Sequence, residues 1–170
     1  MSGGNSKEYN RELCERYPFL IPANRFSGKR ITEGAGFWPG SPDSVPEWDY
    51  ESTELDEMPE GWRIAFGEQL CAELKAELEK AGLLDSYRIV QIKEKFGSLR
   101  WYDNATSPEL LAIIRKYTEI SARTCVICGK PATRITMGWI APFCDACCPD
   151  KYNIPIEEFF REEDNSTSQE

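Results

Sequence analysis

Histidine is missing from all 170 residues of the chain. Its absence removes the side chain most often used as a general base near neutral pH, and with it Ser-His-Asp and Cys-His nucleophile systems. Zinc deaminases, zincins and ββα-metal nucleases are excluded on the same ground, because their motifs need histidine for the metal or for water activation. No P-loop, no G-x-G-x-x-G after a strand and no G-x-S-x-G elbow occurs. Internal repeats are absent, and no apolar run approaches the ~18 residues of a spanning helix. Met1-Ser2-Gly3-Gly4-Asn5-Ser6 has none of the features of a secretory signal, so the expectation is a soluble, cytoplasmic protein without a membrane partner. Chemistry would have to run on carboxylates, Lys, Tyr or a thiolate, and the chain reads as a non-enzyme.

Cysteine, by contrast, is plentiful, with seven in the chain. Cys125-Val126-Ile127-Cys128-Gly129 and Phe143-Cys144-Asp145-Ala146-Cys147-Cys148 hold two C-x2-C pairs separated by fifteen residues. That spacing suits a four-thiolate zinc site, because each pair forms a tight turn that aims two sulfurs at one tetrahedral centre. The expected ligands are Cys125, Cys128, Cys144 and Cys147, with Cys148 the alternative fourth sulfur. The same pairs also suit redox or disulfide use, or an iron–sulfur cluster. Gly129 allows the backbone conformation that a turn around a metal requires, and the β-prone runs Thr133–Met137 and Trp139–Ala141 predict a small hairpin meeting at Gly138. Zinc held by four thiolates has no open position for substrate, so the site reads as a structural fastener. An odd cysteine count clustered in such pairs suits a reducing compartment. Cys14 and Cys71 fall in helical patterns and read as small buried hydrophobes.

At 41% hydrophobic residues, the chain can bury one ordinary core. Ser6 to Arg16 predicts a short helix ended by Pro18, and Phe19-Leu20-Ile21-Pro22 an extended segment laid on the core. Residues 28–59 hold four of the twelve Gly and four of the eleven Pro and read as an irregular loop. From Ile31 to Glu60 there are nine acids and no Lys or Arg, a local charge equal to the −9 of the whole chain. Interleaved aromatics make this a candidate docking surface for a basic partner, through Trp38, Trp48, Asp49, Tyr50, Glu51, Glu54, Asp56 and Glu57, or else a solvated loop anchored by its aromatics.

Trp62, Phe66, Leu70, Leu74 and Leu78 recur every four residues and predict the main helix, ended by Gly82. Tyr87–Lys95 and Leu99–Tyr102, joined by Phe96-Gly97-Ser98, predict a hairpin. Ser107-Pro108-Glu109 opens a second helix with a hydroxyl N-cap, a proline at the first position and an acid in the first turn. Residues 155–164 predict a short acidic helix, and 165–170 a disordered polar tail. From Tyr87 to Arg134 nine bases face four acids. This basic stretch offers an alternative nucleic-acid surface through Lys93, Lys95, Arg100, Trp101 and Arg134, against which stands the overall acidity of the chain.

The runs Tyr17–Pro22, Met58–Trp62, Phe66–Glu68, Gln91–Tyr102 and Cys125–Ala132 resemble a group of small, uncharacterised proteins of bacterial viruses and prophages that carry the same paired-cysteine module. The resemblance covers residues 9 to 148. It implies an accessory protein in a bacterial cytoplasm, acting on a host or defence protein. Together these readings give an α+β chain: an N-terminal helix and acidic loop (1–60), a helix-hairpin-helix core (59–124), a four-Cys module of zinc-ribbon or treble-clef type (125–148) and an acidic end (149–170). Its expected function is non-catalytic protein–protein interaction with structural Zn²⁺, the alternative being nucleic-acid binding.

Overall fold

Side chains spaced by four cannot stay on one face of an ideal α-helix, since each step overshoots a full turn by about 40°. In the computed structural model, which describes residues 6–24, 26–33, 49–149 and 152–167, the chain resolves this with a π turn. The helix opens as α2 (Glu60–Trp62), widens over Arg63–Gly67 and continues as α3 (Glu68–Ala81). The wider i→i+5 turn takes back the drift, and Trp62, Phe66, Leu70, Leu74 and Leu78 are all buried. Gly82, at φ +69°, ends α3: its N–H reaches Glu79 O and the next N–H, of Leu83, reaches Leu78 O at 2.9 Å, the Schellman pattern.

Helix α1 (Lys7–Arg16) is capped by Ser6, whose hydroxyl accepts from Tyr9 N. It buries Leu13 and Cys14 in the core that holds the α3 stripe, and the turn Pro18–Leu20 adds Phe19 and Leu20 to the same core. That turn is 3-10, not extended, because Pro18 presets the φ of its first residue. The described end of the acidic loop is ordered as well. Glu54–Glu57 forms a 3-10 turn capped reciprocally by Thr53 and Asp56, and it buries Leu55.

Strands β1 (Ile89–Lys95) and β2 (Ser98–Asp103) form the expected hairpin, with Ile92 opposite Trp101, Lys93 opposite Arg100 and Lys95 opposite Ser98. Ile92, Leu99 and Trp101 face the core. Phe96 and Gly97 both take positive φ, 52° and 80°, as a two-residue I′ turn demands. For an aromatic side chain that conformation costs about 1–2 kcal/mol. Side chains close both edges of the sheet: Ile92 N donates to Glu57 Oε2 at 3.2 Å and Leu99 N to Ser121 Oγ at 2.8 Å.

Ser121 ends α4 (Pro108–Ser121), which has the Ser107 cap expected of it and packs Leu110 and Tyr117 into the core. A second sheet lies beyond the first cysteine pair, ordered β4-β3-β5 from β3 (Arg134–Thr136), β4 (Pro142–Phe143) and β5 (Asn153–Pro155), all antiparallel. The β3–β4 pair is a hairpin, but its second strand is Pro142–Phe143, while the expected strand Trp139–Ala141 lies in the loop between the two. Strand β5 has no alternating pattern and was not foreseen. Helix α5 (Ile156–Thr167) follows it directly and continues past residue 164, so 165–167, expected as part of a disordered tail, belong to a helix. Over the described residues the chain is thus α+β with two small sheets. Among the described residues no helix is long and apolar enough to cross a membrane.

Candidate metal centre

The first cysteine pair is built onto the start of the main helix. Trp62, fully buried, donates its Nε1 to Thr124 O at 2.8 Å, and Gly61 N donates to Val126 O at 2.9 Å. Cys125 N donates to Lys130 O and Gly129 N to Cys125 O, so the turn closes on itself with Gly129 at φ +74°. A Cβ on Gly61 would stand 2.1 Å from Cys125 O, so only glycine fits here.

The second pair is brought to the first by the β3–β4 pairing and by Val126 N donating to Pro142 O at 3.0 Å. Cys147 N and Cys148 N both donate to Cys144 O, turning the chain so that the Cys147 sulfur points inward. Thr133 Oγ1 donates to Asp145 Oδ1 at 2.8 Å and ties this turn to the approach to β3.

The result is one sulfur cluster. The Sγ atoms of Cys125, Cys128, Cys144 and Cys147 lie within 4.8 Å of one another, with Cys128 and Cys144 3.5 Å apart. Four sulfurs at about 2.3 Å from a tetrahedral zinc sit about 3.8 Å apart, so the donor set fits a divalent ion with only small adjustment. Cys148 lies outside the cluster, its thiol turned to Pro149 O. Burial opposes ionisation of Cys125, but N–H groups of Cys128, Cys144 and Ile127 outweigh it and bring that thiol down to about 7. Hydrogen bonds with the Cys144 and Cys128 sulfurs push Cys147 up to about 12. A bound cation would displace such protons, so metal uptake and proton release are coupled here. Cys14 and Cys71 are buried elsewhere in the core, and burial raises both thiols, that of Cys14 to about 12.

The acidic docking set is largely engaged inside the molecule. Glu54 is only 4% exposed and accepts from Ala23 N at 3.1 Å, so it is no surface acid. Asp56 caps Thr53 and pairs with Arg63, and Glu57 caps β1. Asp49 pairs with Lys7 at 2.8 Å and lies 3.6 Å from Arg11, Glu51 lies 3.7 Å from Lys7, and Tyr50 is half-buried under the Arg11 guanidinium. Trp38 and Trp48 lie outside the described residues.

Of the basic set, the structure gathers Lys93, Lys95 and Arg100 on the outer face of the hairpin. Trp101 belongs to the opposite face: at 6% exposure it donates Nε1 to Tyr87 OH, which donates to Asp103 Oδ2 at 2.6 Å, so it cannot stack on a base. Arg134 sits in the second sheet, bonded to Asn153. One exposed aromatic that sequence reasoning passed over is Trp139. The residue is 76% exposed, and its Nε1 donates to Glu94 Oε2 at 3.1 Å. Its one signal was a position beside Gly138 in a turn.

No family model matches the chain, and neither the curated proteins nor the solved structures give a significant match.

Proposed function

We propose that the chain is a non-catalytic binding protein whose carboxyl-terminal module, of zinc-ribbon or treble-clef type, is fastened by a structural zinc on Cys125, Cys128, Cys144 and Cys147. The observation that carries this reading is the convergence of four sulfurs within 4.8 Å on two turns locked into the core backbone. With four protein ligands the metal has no position for water or substrate, so it contributes folding energy and no chemistry. On the hairpin, the carboxylate, Lys and Tyr that a histidine-free enzyme would need do not converge either. Lys93 stacks over Tyr102, while Glu94 faces away from both and accepts from Gly97 N and Trp139. Biology then rests on surface recognition, in keeping with the phage-type accessory proteins that the motif runs resemble, whose partner would be a macromolecule of the bacterial host or its defence.

Elemental analysis of the purified chain tests the reading. About one zinc per chain, with Cys128→Ser losing it, supports the fastener. A metal-free protein that is fully folded, or an iron–sulfur absorption spectrum, would replace it.

A further inference from the structure

The outer face of the hairpin carries a charge arrangement that stability does not explain. Lys93 and Arg100 sit directly opposite one another, with Lys95 two residues along on the same face. Like charges in cross-strand register oppose pairing. Among the described residues none of the three forms an ion pair. Two carboxylates at this hairpin make other bonds: Glu57, from the preceding 3-10 turn, accepts from Ile92 N, and Glu94 from Gly97 N and Trp139 Nε1.

Flat apolar rings stand beside these cations. Phe96, held at the hairpin tip in a left-handed conformation, is 68% exposed, and Tyr102 is 45% exposed. Phe96 and Trp139 line one groove of about 280 Å³ together with Glu94, Lys95, Gly138 and Ile140. Neither support is loose. Gly97 packs against Ile140 and Ile135, and Thr136 Oγ1 bonds Trp139 O and Ala141, closing the loop that presents the indole. A strained aromatic kept exposed on a rigid turn points to use of its face.

We infer that this surface binds single-stranded nucleic acid, with phosphates on Lys93, Lys95 and Arg100 and unpaired bases stacked on Phe96 and Trp139. Cations spaced along a strand beside exposed rings, with Lys95 Nζ 5.2 Å from the Phe96 centroid, are what a flexible polyanion with planar bases needs, whereas an acidic peptide would use the cations and leave the rings idle. The inference names the partner class for the binding module proposed above and rests on that module being folded.

The zinc-loaded full chain is titrated into labelled mixed-sequence single-stranded DNA, and its RNA counterpart, by fluorescence anisotropy at low salt. Binding is expected to weaken with salt at a log–log slope of about −2 for three phosphate contacts on a single strand. Replacing Lys93, Lys95 and Arg100 together by Gln should flatten that slope. Phe96→Ala and Trp139→Ala should each weaken binding about tenfold while leaving the slope in place, and Trp139→Tyr should restore most of it. Absence of binding by a protein that retains its zinc overturns the inference, as does binding of polyglutamate that matches the strand and ignores both ring deletions. Metal content measured on every sample separates the two readings: strand binding by a folded, metal-free chain would remove the fastener and leave this surface standing.

Discussion

Gly61 and Gly129 meet backbone to backbone where the main helix begins. A Cβ on Gly129 would lie 2.5 Å from Gly61 O, and one on Gly61 would lie 2.7 Å from Gly129 N. The helix start and the first cysteine turn are therefore one unit. Gly61→Ala should destabilise the protein by about 3 kcal/mol or more, because backbone must move on both sides, and it should speed zinc loss to a chelator. Gly82→Ala is the control: its φ of +69° imposes strain, but no atom lies within 4 Å of the added carbon. It should cost about 1 kcal/mol and leave metal retention unchanged. Denaturant melts and chelator kinetics on the two variants decide the matter, and equal zinc-loss rates would uncouple the helix from the cysteine turn.

The ligand assignment predicts a sharp division among the cysteines. Cys128→Ser and Cys144→Ser should each abolish stoichiometric zinc and unfold at least the second sheet, since structural zinc contributes on the order of 10 kcal/mol to folding. Cys148→Ser, Cys14→Ala and Cys71→Ala should keep the metal. The last two should cost about 1–3 kcal/mol for the atoms deleted from a packed core. Retention of zinc by Cys147→Ser together with its loss in Cys148→Ser would exchange the fourth ligand.

What could be read from the sequence was what local spacing determines. The C-x2-C pairs, the Ser107-Pro108 cap and the Gly82 stop each satisfy a geometric need within a few residues, and all three stand where expected. The π turn was legible in principle, in a stripe that repeats every four residues where an α-helix needs 3.6. Which of Trp101 and Tyr102 points inward was not, because alternation along β2 allows either face until the strand is registered against Ile92 and the core. Glu54 looks like a surface acid in a charged run, yet the tertiary fold buries it on Ala23 N, and the same fold brings Ile92 N to the exposed Glu57. The same limit hid the contact between Gly61 and Gly129, which are far apart in sequence.

A two-stranded sheet exposes two edges, and here single side chains close them. Ser121→Ala removes the acceptor of Leu99 N in a position with no exposure. Leaving that N–H buried and unpaired should cost about 1–3 kcal/mol, while Ser121→Thr, which keeps the hydroxyl, should cost less. Hydrogen exchange gives the local check: the Leu99 amide should lose protection in the alanine variant by more than its β2 neighbours. Uniform loss across the strand would mean that the serine acts only through global stability.

Acid should weaken the α3–α4 contact through Glu73. The Lys116 ammonium, 2.7 and 2.8 Å from its two oxygens, holds this carboxyl below its ordinary value of 4.5 against the opposing effect of partial burial, and the Tyr117 hydroxyl, at 2.8 Å, adds to the lowering. A carboxylate with a lowered folded-state value contributes stability that is present above about pH 4.5 and is lost as pH falls through that lower value. Asp103 acts in the opposite sense: burial raises its value, so protonation on acidification relieves a penalty. Acid would also protonate the thiolates of the proposed zinc site, so the bulk acid transition mixes several groups. Glu73→Gln isolates one of them. At neutral pH it should cost about 1 kcal/mol, because the ion pair is half exposed, and the gap between variant and parent should close below pH 4.5. A gap that stays constant into acid, at unchanged zinc content, would assign Glu73 to packing and not to charge.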